Sequence, residues 1–125
     1  GLDAGRAYNT FPLMDGQVVP QGLLDMSPWW INFFENTATV QFTHRVLAIG
    51  TAALIIVYWF TTRRPETGNA AQRAIGIVTL LALFQVGLGI ATLLSEVALA
   101  LGMLHQFGAL VLITATIWLK YQLGD

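Results

Sequence analysis

TVQFTHRVLAIGTAALIIVYWFT, residues 39–61, decides the fold of this chain. From Val46 to Phe60 it carries no charge, and two further uncharged runs follow, Ala74 to Ser95 and Val97 to Leu119. Each marks a candidate membrane span. The first span is expected from about Thr37 to Thr61, with Asn36 or Thr37 as N-cap and TTRRPETGN closing it. Roughly 24 residues at 1.5 Å each give about 36 Å, enough to cross a bilayer with some tilt.

Composition agrees with this reading. Hydrophobic residues make up 55% of the 125 and charged residues only 10%, too little charge to clothe a soluble surface. A formal net charge of -1 gives no reason to expect a nucleic-acid partner. The chain has no Cys, so a disulfide framework or thiolate metal site is excluded within it. The opening GLDAGRAYNT has no basic region leading into an apolar core, so no signal peptide is read there, and the abrupt start suggests a fragment or a split subunit.

Residues 1–36 read as an outer-side loop or interfacial segment, because Pro12, Pro20, Pro28 and several Gly interrupt any long helix. Trp29, Trp30, Phe33 and Phe34 cluster just before the first span, where aromatic rings favour the headgroup layer. Asn9 and Asp15 are expected to be turn residues that shape a lid over the bundle. The second span is expected over about 71–95; its Gly76, Gly87 and Gly89 let neighbouring helices approach closely. A turn at Ser95 and Glu96 leads to the third span, about 97–119, closing at Lys120. The fold class is therefore all-α, a polytopic transmembrane helix bundle. Arg63, Arg64 and Arg73 lie between the first two spans, in or just after the basic loop 62–70, and Lys120 follows the third; by the positive-inside rule these ends face the cytoplasm or matrix.

Only two His occur, and each lies in a span: His44 about seven residues below the outer start of the first, His105 about eight below that of the third. At 1.5 Å per residue both imidazoles sit roughly 10 to 12 Å inside the same membrane face, on helices running in the same direction. One intramembrane His serves as readily in hydrogen-bonded packing as in ligation. Two at matched depth favour a shared task. Two neutral imidazoles suit the axial positions of a heme iron. Zinc would want three or four protein ligands, and a proton relay stays open. Arg45 follows His44 about 100° round the helix and can reach outward to a heme propionate or snorkel to lipid phosphate. Gln41 lies one turn before His44 on the same face, and Gln106 follows His105; bridging between helices is the commoner use of such amides, and Gln85 is most simply read that way. No Asp or Glu lies within a turn of either His, so no proton acceptor stands beside a cofactor; Glu35, nine residues before His44, is explained by capping or solvation.

The strings LDAGRAYNTFPLMDGQVVP, PWWINFFEN and TVQFTHR, followed in order by LGIATLL and LHQFGAL, closely resemble the carboxy-terminal half of the heme A synthase family, over essentially the whole chain. The resemblance implies eight transmembrane helices in two similar four-helix bundles, each with a heme site between paired histidines. It also implies an enzyme that oxidises a methyl group of heme O to the formyl group of heme A. In that pattern the amino-terminal half bears a Glu three residues before a ligand His and holds the substrate. Here that spacing carries Gln41. The resemblance thus implies a cofactor half with a b-type heme ligated by His44 and His105 and no catalytic residue; Arg45 and Arg6, both expected on the outer side near the heme edge, are read as propionate partners, and Gln41 as a further cofactor-binding residue. A b-type electron-transfer cytochrome without hydroxylase activity is the alternative. The expected partners are heme O and heme A in the missing half, the missing helices and the lipid bilayer. The electron donor is not named by the sequence, and a homo-oligomer stays open. The expected location is a bacterial cytoplasmic or mitochondrial inner membrane. The further expectation is that these residues alone are inactive and need the missing helices to hold heme firmly.

Overall fold

A computed structural model describes residues 4–62 and 67–124; Arg63 and Arg64 of the expected basic loop lie outside the described residues. In chain order the elements are α1 (Ala4–Ala7), a 3-10 turn (Trp29–Ile31), α2 (Asn32–Glu35), α3 (Thr37–Thr61), α4 (Asn69–Leu94) and α5 (Leu99–Leu123). The described residues form no β-strand, only an isolated bridge between Met14 and Gln17.

Helices α3, α4 and α5, of 25, 26 and 25 residues, are each long and apolar enough to cross a membrane. Their outward faces carry Leu54, Phe60, Leu80, Phe84, Leu110 and Ile117, all well exposed. Apolar surface on that scale suits hydrocarbon as solvent. In that medium four threonine hydroxyls of α4 and α5 are satisfied within their own helix: Thr79 donates to the Ile75 carbonyl, Thr92 to Leu88, Thr114 to Leu110 and Thr116 to Leu112.

The start of α3 is fixed by a buried polar knot. Asn36 Oδ1 caps the helix by accepting from the Thr39 N–H at 2.9 Å, and its Nδ2 donates to the Gly22 carbonyl and Asp25 Oδ1, both at 2.7 Å. Asn32, fully buried, donates through Nδ2 to the Met26 and Trp29 carbonyls and accepts from the Met26 N–H. Thr39 Oγ1 accepts from the Leu24 N–H. These bonds fasten residues 22–29 to the head of α3 and leave Trp29 and Phe34, each 70% exposed, free to face the interface.

Between α4 and α5, Glu96 and Val97 both take positive φ, 55° and 62°. The chain reverses there, so α5 begins at Leu99 and not at Val97. For a β-branched residue such as Val97 this conformation is unusual, and its side chain packs against Gly5 and lines the cavity described below.

Helix α4 is central and packs on both α3 and α5. At one end Ala74, Ile75, Val78 and Leu119 form a buried cluster against Ile55, Trp59, Leu112 and Ala115, drawing all three helices together. Toward the other end both histidines, His44 on α3 and His105 on α5, line a cavity with α4.

Candidate functional site

His44 on α3 and His105 on α5 face each other with ring centroids 6.3 Å apart and ring planes at 81°. The structure thus brings the two histidines together. They line a cavity of about 440 Å³, within the usual range for a small-ligand site. Its walls are mostly apolar residues of α3, α4 and α5, such as Leu47, Ile90 and Leu112.

The spacing of the two rings tests what could lie between them. Two metal–nitrogen bonds of about 2 Å, each with about 1.1 Å from nitrogen to ring centre, span about 6.2 Å, matching one ion held between two imidazoles. Among the described residues no group of three or more His, Cys, Asp or Glu could hold a metal ion. Two facing imidazoles with no further protein ligand nearby would suit a metalloporphyrin, which would bring its own nitrogens for the remaining positions. The residues present therefore fit a heme.

Helix α4 supplies no ligand but shapes the seat of one. A Cβ on Gly89 would stand 2.9 Å from His105 Cε1 and 3.5 Å from each ring nitrogen, so glycine leaves the space that the imidazole occupies in this position. One turn away, Gln85 Nε2 donates to the His105 main-chain carbonyl at 2.6 Å. His105 Nδ1 is buried without a hydrogen-bond partner.

Gln41 also lines the cavity; it is 8% exposed, and its carboxamide makes no hydrogen bond among the described residues. Arg45 stands at the rim, but its guanidinium turns to the amino-terminal segment: Nη2 donates to the Tyr8 carbonyl at 2.9 Å, and Nη1 to those of Leu13 at 3.3 Å and Pro12 at 3.4 Å. Its Nε is buried without a partner. Arg6 does not line the cavity; its Nε–H donates to the Glu96 carbonyl at 3.4 Å. Its neighbours Gly5 and Phe11 do line it, so residues 5–13 form a roof tied down by Arg6 to the α4–α5 turn and by Arg45 to α3. Thr10 braces that roof by donating to the Leu13 carbonyl and accepting from the Asp15 N–H, with Asp15 itself at φ 49°. Gln106 is exposed and outside the cavity lining.

The residues that reading by type passed over are Gly89, Gly108 and the specific target of Gln85. A positional signal existed: Gly89 and His105 lie nearly equidistant from the Glu96–Val97 reversal, as do Gln85 and Gly108. Antiparallel neighbours joined by a tight turn pair in this way.

The fold and the site define a polytopic helical membrane protein with a paired-histidine cavity between its spans. More particularly, the chain belongs to the cytochrome oxidase assembly protein family (COX15-CtaA), whose family model matches residues 1–117. It is 44% identical to a heme A synthase of Nitrosospira multiformis over 98% of this chain and 35% of that protein. It is 46% identical to the heme A synthase COX15 of Arabidopsis thaliana over 98% of this chain and 27% of that protein. With a heme A synthase of Rhizobium etli (strain CIAT 652) the identity is 51% over 89% of this chain and 30% of that protein. The chain spans about a third of the length of the curated relatives it matches. No solved structure matches it.

Proposed function

We propose that this chain is the carboxy-terminal, cofactor-holding part of a heme A synthase, with His44 and His105 as axial ligands of a b-type heme. The observation that carries the reading is the pair of imidazoles facing across the cavity at 6.3 Å. The relatives' name, heme A synthase, favours this over a free-standing electron-transfer cytochrome.

A bound heme would supply one-electron transfer. The chain's own residues would hold it. Apolar walls and, from the roof of residues 5–13, Gly5 and Phe11 line the cavity. Arg45 places positive charge at the rim, and its unpartnered Nε–H suits a carboxylate such as a propionate. The unbonded carboxamide of Gln41 offers a neutral donor and acceptor one turn from His44. Arg6 acts through the roof it ties down. Among the described residues no Asp or Glu lines the cavity, which supports a cofactor-holding role over proton transfer. Oxidation of heme O to heme A then belongs to the remainder of the whole protein, and the electron donor acts on this part. Arg73 and Lys120, at the end of the bundle away from the cavity, face the cytoplasm or matrix by the positive-inside rule, and the roof faces the opposite side.

The test is to replace His44 and His105 separately by Ala in the full-length protein. Each variant is expected to lose one low-spin heme per chain and, with it, conversion of heme O. Unchanged heme content in both variants would overturn the reading.

A further inference from the structure

We propose that Gln85 is a positioning residue for His105, setting the rotation of α5 and with it the plane of the imidazole. This rests on the reading of His44 and His105 as axial ligands. Three contacts between α4 and α5 carry it.

The first is the 2.6 Å bond from Gln85 Nε2 to the His105 carbonyl. That oxygen already belongs to the helix ladder, and the carboxamide takes its second lone pair. Inside a bilayer no water competes for the position, so the bond holds the depth of the ligand turn against α4. The second contact fixes which way the amide faces. Gln85 Oε1 is buried and packs onto the backbone of Gly108, where a Cβ would collide with it. A flipped amide would bring its oxygen against the His105 carbonyl, so the donor has one orientation. The third contact runs the other way: the His105 ring enters the space left by Gly89, one turn along α4 from Gln85.

Each helix therefore inserts a side chain into a glycine of the other, at adjacent turns. Two such contacts of opposite sense prevent α5 from rolling on α4. The roll of α5 decides the plane in which the His105 ring meets the cavity, here 81° from that of His44. For ferric low-spin heme, near-perpendicular axial imidazole planes give a highly anisotropic signal in electron paramagnetic resonance, whereas parallel planes give a rhombic one.

The experiment uses the full-length, heme-loaded protein in detergent or membrane. Gln85→Leu keeps the bulk and removes the donor. It is expected to retain low-spin heme, with the resonance moved toward the rhombic type and the midpoint potential displaced from the parent's. Gly108→Ala, which evicts the carboxamide from its seat, is expected to do the same, and the double variant to add nothing further, because both act on one contact. Val78→Ala, in the buried cluster at the far end of α4, reports loss of stability alone; it is expected to leave signal and potential at the parent's values. A parental signal and potential in Gln85→Leu would overturn the inference. Should Leu abolish heme binding, Gly108→Ala decides by the same criterion. A parent without bis-imidazole heme would overturn the underlying reading, and this one with it.

Discussion

Replacing Gly89 by Ala is the sharpest perturbation the geometry offers. The added methyl would stand 2.9 Å from His105 Cε1, whereas carbon atoms in contact settle at about 3.5–4.0 Å. The ring must therefore retreat by about 0.6–1.1 Å. An imidazole free of metal can do so by turning. One held in a coordinate bond cannot, so most of the strain counts against the heme-loaded state. Overpacking of this kind costs about 1–3 kcal/mol, and the gain in helix propensity on replacing glycine, about 0.5–1 kcal/mol, is common to both states. A penalty of about 1–2 kcal/mol on the loaded state alone corresponds to roughly 5- to 30-fold weaker heme retention. The assay is heme per chain after detergent purification, followed by transfer of heme to an apoprotein acceptor. The control lies two residues away: a Cβ on Gly87 meets nothing within 4 Å, so Gly87→Ala is expected to retain heme like the parent. If Gly89→Ala released heme no faster than Gly87→Ala, the reasoning from the glycine seat would be refuted.

Arg45→Ala is expected to free the roof, seen as faster proteolysis and amide exchange over residues 8–13; Arg45→Lys should rescue little, because an ammonium lacks the fork that spans the Tyr8, Pro12 and Leu13 carbonyls. Asn36→Ala removes the α3 cap, about 1–2 kcal/mol by itself, and strips Gly22 and Asp25 of their donor; thermal unfolding should fall further than for Asn36→Ser, which keeps a cap acceptor. As the chain has no Cys, a cysteine placed at Glu96 is expected to react with an impermeant maleimide from the outer side, and one at Thr67 only from the inner side. Labelling of both from one side would contradict the proposed orientation.

The three helices were legible because uncharged runs of span length leave a chain little choice in lipid. The start of α5 was not, since Glu96 and Val97 occupy a positive-φ reversal that hydropathy cannot register. The depth of the histidines followed from counting residues, but their facing geometry depended on the rotation of α5, which no single residue encodes. Arg45 shows the limit most clearly. Propionate and lipid phosphate were both reasonable partners for a guanidinium at that depth, yet its hydrogen bonds go to backbone carbonyls more than thirty residues away in sequence. The Asn36 cap was foreseeable from its position before an apolar run; the full burial of Asn32, within a segment dominated by exposed aromatics, required the tertiary structure.

The central claim is that His44 and His105 together hold one heme. Near-infrared magnetic circular dichroism of the oxidised full-length protein tests it most directly, because the charge-transfer band of low-spin ferric heme reports its axial ligand pair. The account predicts a bis-imidazole band in the parent that shifts to the histidine–methionine position in His105→Met. A bis-imidazole contribution of unchanged intensity in that variant would contradict it.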